Sequence, residues 1–216
     1  MQVRVAPSIL AADFLDLRKD IEMLNESADV IHMDIMDGTF VPNISFGFSV
    51  VDQVAKIARI PMDVHLMVVN PEKWFDKLKE DGVQMVSFHL EAAKCFSVKH
   101  IEKLHSLGIK AGLAINPDVP VKRLFPFIGK ADYFLIMSVF AGFGGQKIIP
   151  ETLDRVKELK AEIERRGAQA TIEIDGGVTV ENIAPLREAG VNLIVAGSTV
   201  FKSDDPAATI AKLRGE

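Results

Sequence analysis

The chain has 216 residues, 48% of them hydrophobic, and its 30 acidic side chains against 25 basic ones give a formal charge of −5. That length and apolar content suit one α/β barrel, a fold commonly built from about 200–250 residues, and the acidic balance is the wrong sign for a nucleic-acid partner. The lone cysteine, Cys95, excludes an intrachain disulfide and reads as a structural or exposed thiol, and no apolar stretch approaches the ~20 residues of a membrane span.

Met1 to Pro7 lacks the charged region and apolar run of a secretory signal, so a soluble, cytoplasmic protein is expected. From there, short runs rich in Val, Ile, Phe and Met alternate with longer amphipathic stretches, the pattern of repeated strand-helix units and a parallel sheet. The first strand is predicted over Val3–Pro7 and a helix over Phe14–Glu26. Strand Val30–Asp34 leads to helix Phe48–Ala58, and strand Met62–Met67 to helix Pro71–Asp81. Next come strand Met85–His89 with helix Val98–Leu107, and strand Lys110–Ile115 with a short helix over Val121–Phe127. Strands Tyr133–Ser138, Thr171–Asp175 and Leu193–Ala196 are followed by helices Thr152–Arg166, Val180–Ala189 and Pro206–Leu213. Gly82, Gly108, Gly167 and Gly190 each follow a helical run as a terminating glycine should, and Pro71 and Pro206 stand where a first-turn proline is tolerated.

Periodicity alone leaves a doubly wound open sheet as an alternative. The placement of polar and glycine-rich elements after strands 2, 3, 6, 7 and 8 favours a single (β/α)₈ TIM barrel over residues 1–216, because barrels collect function at the C-terminal ends of their strands. His32 and Asp34 are two apart on one strand and so share a face. His65 ends the next strand in Asp63-Val64-His65-Leu66-Met67, and strand 7 ends in Glu173-Ile174-Asp175. A lone strand-end histidine is ordinarily a hydrogen-bonded structural residue. Two histidines and two carboxylates converging at one rim instead make a candidate divalent-metal site, for Zn²⁺ first, with Fe²⁺, Mn²⁺ or Co²⁺ compatible.

An anionic ligand of an acidic protein has to be held locally, by backbone amides beside helix ends. Gly142-Phe143-Gly144-Gly145 follows strand 6, Gly176-Gly177 follows strand 7 and Gly197-Ser198 follows strand 8. Glycine lets backbone N–H groups approach an anion closely, and barrels frequently bind phosphate with the loops after strands 7 and 8.

The segments Ala6 to Asp13, His32 to Asn43, Asp63 to Met67, Gly142 to Gln146, Ile172 to Gly177 and Ala196 to Ser198 resemble the ribulose-phosphate 3-epimerases, in order and over nearly the whole chain. The resemblance implies a barrel of the ribulose-phosphate binding type in which His32, Asp34, His65 and Asp175 bind the metal. It also implies that Asp34 and Asp175 act as the acid/base pair, and that Ser8, His65, Met36, Met67 and Met137 face the substrate. Gly144, Gly145, Gly176, Gly177, Gly197 and Ser198 would hold its phosphate, with Gly142 and Phe143 also binding the substrate. Methionines at such positions are otherwise core packing. One departure is Phe140-Ala141, where family members usually carry Asn-Pro, a change close to the sugar.

Inverting carbon 3 of a 2-ketose requires removing a proton beside the carbonyl and returning one to the other face, for which two carboxylates are the minimum apparatus. D-ribulose 5-phosphate is the first expected substrate and D-allulose 6-phosphate the alternative. A phosphate-binding barrel decarboxylase is a competing reading, but its Asp-x-Lys-x-x-Asp signature is broken here by His65 and Val68. A non-catalytic sugar-phosphate binding protein is a third. The expected partner is a phosphorylated ketose, with no nucleic acid and no membrane, and a homo-oligomer is compatible with the pattern.

Overall fold

The computed structural model describes residues 2–93 and 95–216. Its strands are β1 (Arg4–Ala6), β2 (Ile31–Met36), β3 (Met62–Met67), β4 (Met85–His89), β5 (Lys110–Ile115), β6 (Tyr133–Met137), β7 (Thr171–Asp175) and β8 (Leu193–Val195). They form one eight-stranded sheet in the order β1-β8-β7-β6-β5-β4-β3-β2, every ladder being parallel. Across the remaining seam Ser8 bridges His32 in parallel, and the His32 N–H donates to the Pro7 carbonyl at 3.1 Å. The two ends of the strand order thus meet and the sheet closes into a barrel.

Around it lie α1 (Leu17–Ser27), α2 (Phe48–Ala55), α3 (Phe75–Glu80), α4 (Leu90–Ala93), α5 (Ser97–Ser106), α6 (Thr152–Arg165), α7 (Ile183–Ala189), α8 (Ser198–Phe201) and α9 (Pro206–Arg214). Strand alternation divides each β-run between two environments. Ile31, Met33 and Ile35 of β2, Val64 and Leu66 of β3 and Ile172 and Ile174 of β7 join the large apolar cluster between sheet and helices. The opposite face of the same strands turns into the barrel. There Ala6, Val30, Met85, Tyr133, Leu193 and Val195 form a separate apolar plug. Gly112 makes room for it: a Cβ on that residue would lie 2.3 Å from the Tyr133 ring. Above the plug, polar side chains share the interior with two small apolar clusters, Ala114, Leu135 and Met137, and Met36, Val41 and Met67.

Several helix bounds differ from expectation for local reasons. α1 begins at Leu17 because Asp13 accepts the Leu15 N–H in a turn that precedes it. The stretch Pro71–Asp81 divides into a 3₁₀ turn, Pro71–Trp74, and α3. α7 starts at Ile183, since Asn182 accepts the Thr179 N–H and donates to the Gly177 carbonyl, holding Val180 outside the helix. The short α4 and α8 have no counterpart in the apolar periodicity, which four residues are too few to display. Among the described residues no helix is long and apolar enough to cross a membrane.

Candidate active site and metal centre

The in-register pairing of β2 with β3 sets His32 beside Asp63 and Asp34 beside His65, and β6 with β7 sets Met137 beside Asp175. Because β2 runs on to Met36, Asp34 lies inside the strand and Met36 ends it. One atom each from His32, Asp34, His65 and Asp175 lies within 4.8 Å of all the others. Asp34 Oδ1 is 3.3 Å from His32 Nε2 and 3.2 Å from His65 Nδ1, and Asp175 Oδ2 is 3.9 Å from His65 Nδ1. Ser8 Oγ donates to Asp34 Oδ2 at 2.5 Å.

Behind these groups stands a polar layer that orients them. His32 Nδ1 lies 2.8 Å from Asp63 Oδ2, and Tyr133 OH donates to Asp63 Oδ1 at 2.7 Å. With Nδ1 directed at a carboxylate, the other nitrogen of His32 turns to the cluster, where it is buried without a hydrogen-bond partner. An imidazole held from behind by a carboxylate, with its far nitrogen unpartnered among acidic oxygens, is the donor arrangement a divalent cation satisfies. Asp63 and Glu173 also approach His32. Burial first, then the Asp63 charge, pushes the Glu173 carboxyl well up.

The two aspartates are held in different states. Burial pushes Asp34 up, but the positive charge of His32 and the facing His65 ring outweigh it and hold the carboxyl far below its usual range. At Asp175 burial and the neighbouring Asp34 charge act together and raise the carboxyl to about 7. Burial lowers His32, yet Asp34 and Asp63 outweigh it and raise the ring well above its usual value.

A cavity of about 480 Å³ opens over the cluster. Ser8, Asp34, Met36, Met67, Met137 and Asp175 line its floor, and Gly142, Phe143, Gly144, Gly145, Gly176, Gly177, Gly197 and Ser198 line its wall. His32 and His65 are fully buried beneath it, so His65 meets the cavity only through the carboxylates. Gly177, at φ +65°, could not be another residue: its Cβ would stand 2.4 Å from the Ile148 backbone nitrogen. Among the described residues, the N–H groups of Gly144, Gly145, Gly177 and Gly197 donate to no backbone acceptor.

Sequence reasoning missed several neighbours. Among the described residues Lys202 is the one basic side chain lining the cavity, which Phe140 and Ala141, expected close to the sugar, also border. His89 ends β4 and places Nε2 2.9 Å from His65 Nε2. The signal for it was the same strand-end position that revealed His65.

The sequence profile of the ribulose-phosphate 3 epimerase family matches residues 4–201. The chain is 41% identical over 210 residues to the ribulose-phosphate 3-epimerase of Mycobacterium tuberculosis, covering 97% of this chain and 91% of that one. It is 40% identical over 215 residues to the Bacillus subtilis ribulose-phosphate 3-epimerase, covering 99% of both. Among solved structures, a mutant tryptophan synthase alpha-subunit from Pyrococcus furiosus superposes with a TM-score of 0.74 at 18% identity over 100% of both chains. A 3-hexulose-6-phosphate synthase does so at 0.69 and 18%, covering 99% of this chain and 98% of that one. At such identity these two share only the TIM-barrel architecture. On the profile match and the extent of its curated relatives, this chain belongs to the ribulose-phosphate 3-epimerase family of isomerases.

Proposed function

We propose that the protein interconverts D-ribulose 5-phosphate and D-xylulose 5-phosphate by inverting carbon 3, with Asp34 and Asp175 as its proton-transferring groups. The observation that carries this reading is the pair itself: two carboxylates on one cavity floor, one kept ionised and one kept near neutrality. An ionised carboxylate takes the carbon-3 proton, and the electron pair left behind delocalises into the adjacent carbonyl as an enediolate. A protonated carboxyl on the other side returns a proton to that carbon, leaving the pair with exchanged states and ready for the reverse direction. The two titrate as one unit, since each charge bears on the other.

Ser8 orients Asp34 through its hydroxyl, and the unpaired N–H groups of Gly144, Gly145, Gly177 and Gly197 suit a phosphate at the far wall. His32, Asp34, His65 and Asp175 would hold a divalent cation, with Zn²⁺ the first candidate for two nitrogen and two oxygen donors and Fe²⁺, Mn²⁺ or Co²⁺ also compatible. When bound, such a cation supplies positive charge against the negative charge that develops on the substrate. D-allulose 6-phosphate is a second reading of the substrate, favoured by Phe140 and Ala141 lining the cavity where the family usually carries Asn-Pro.

Exhaustive chelation is expected to abolish epimerisation, and Zn²⁺, Mn²⁺, Fe²⁺ or Co²⁺ to restore it, in an assay coupled to D-xylulose 5-phosphate formation. Full turnover by protein shown to be metal-free would defeat the metal assignment.

A further inference from the structure

We propose that His89, backed by Glu91 and Asn116, is a positioning residue that determines which nitrogen of His65 carries the hydrogen and which is free to hold a cation. The inference rests on the reading that His65 is a metal ligand.

His89 is fully buried at the end of β4. Its ring meets that of His65 edge to edge, with centroids 5.0 Å apart and planes at 24°. Their Nε2 atoms are 2.9 Å apart, so one must donate and the other accept. His65 Nδ1 faces Asp34 Oδ1 at 3.2 Å and Asp175 Oδ2 at 3.9 Å, and a cation among those oxygens requires a lone pair on that nitrogen. The hydrogen of His65 then lies on Nε2 and His89 Nε2 accepts it. That leaves the hydrogen of His89 on Nδ1, 3.5 Å from Glu91 Oε1.

Glu91 is itself anchored. Its Oε1 accepts the Asn116 backbone N–H at 3.0 Å and the Asn116 side-chain amide at 3.1 Å. Asn116 Oδ1 accepts the Ala141 N–H at 3.1 Å, which fixes the amide with Nδ2 toward Glu91. Asn116 Nδ2 also lies 3.5 Å from His89 Nδ1. A bond donated there would impose the opposite tautomer on both rings and leave His65 unable to ligate through Nδ1. The Glu91 carboxylate opposes that outcome by offering Nδ1–H an acceptor. The two ligand histidines are thus set by different devices: His32 by Asp63 behind Nδ1, His65 by a second imidazole behind Nε2.

The test uses zinc-loaded protein with ¹⁵N-labelled histidine, whose long-range ¹H–¹⁵N spectrum reports the tautomer of each ring. The expected result is hydrogen on Nε2 of His65 and on Nδ1 of His89; hydrogen on Nε2 of His89 overturns the proposal. Cobalt titrations of the unchanged protein, His89→Gln and His89→Leu give a second readout. Leu offers no acceptor, so Co²⁺ affinity should fall ~10–100-fold with an altered visible absorption, while the Gln carbonyl should restore most of both. Unchanged affinity and spectrum in His89→Leu overturn the proposal and leave the metal reading standing. Absence of Co²⁺ binding in the unchanged protein overturns both. Should the Leu variant fail to fold, the tautomer spectrum of the unchanged protein still decides.

Discussion

Asp34 and Asp175 are chemically the same and energetically opposite, because two histidines face the first and mainly a like charge faces the second. Asp175→Asn keeps the shape and removes the exchangeable proton, so epimerisation should fall by at least ~10²-fold; wild-type turnover would show that the pair is misassigned. A cation entering the site must displace protons, from Asp175 whose carboxyl titrates at about 7 and from the raised His32. Lower pH keeps those protons in place and competes with the metal. Affinity for Zn²⁺ is therefore expected to rise with pH through neutrality, read by titration at several pH values; a flat profile would contradict this picture. His32, Asp34, His65 and Asp175 were legible because strand alternation puts residues two apart on one face and three strands end alike. Their supports were less so. Asp63 and Glu173 stand in the same alternation, two residues before His65 and Asp175, yet only the structure shows Asp63 bonded to His32 and Tyr133, with Glu173 buried beside them beneath the site.

At the scale of elements, the loop after β6 carries Phe140 and Ala141 as well as the first glycines of the cavity wall. Asn43 Nδ2 donates to the Gly142 carbonyl at 2.8 Å, tying the loop after β2 to it, and the Ala141 N–H is bound by Asn116. Proline has no N–H, so the usual family residue at 141 would forgo this tie; the chain has substituted a hydrogen bond for a rigid turn. Phe140→Asn with Ala141→Pro should shift the ratio of kcat/KM between D-ribulose 5-phosphate and D-allulose 6-phosphate, within the ~1–3 kcal/mol that one extra carbon is worth. Metal affinity should change less than that ratio. An unaltered preference would remove this loop from sugar selection. The departure at 140 and 141 was visible in the sequence, but its compensation by Asn116 was not, since that contact spans 25 positions of the chain. Strands were read closely because each is an apolar run; helix starts at 17, 75 and 183 were not, because side chains of Asp13 and Asn182 and the turn at Pro71 set them.

Over the whole molecule, closure of eight parallel strands brings residues from positions 8 to 198 to one rim, with an apolar plug of six side chains below and a polar layer between. The plug and the buried polar groups lie beneath the cavity floor, and the glycine-rich wall and the carboxylate pair border one cavity. Epimerisation at carbon 3 is tested by incubating metal-loaded protein with D-ribulose 5-phosphate and a panel of ketose phosphates in D₂O. Deuterium is expected at carbon 3, fastest with D-ribulose 5-phosphate and accompanied by D-xylulose 5-phosphate. Absence of carbon-3 exchange with every ketose phosphate would contradict this expectation and leave a barrel that binds sugar phosphates without turning them over.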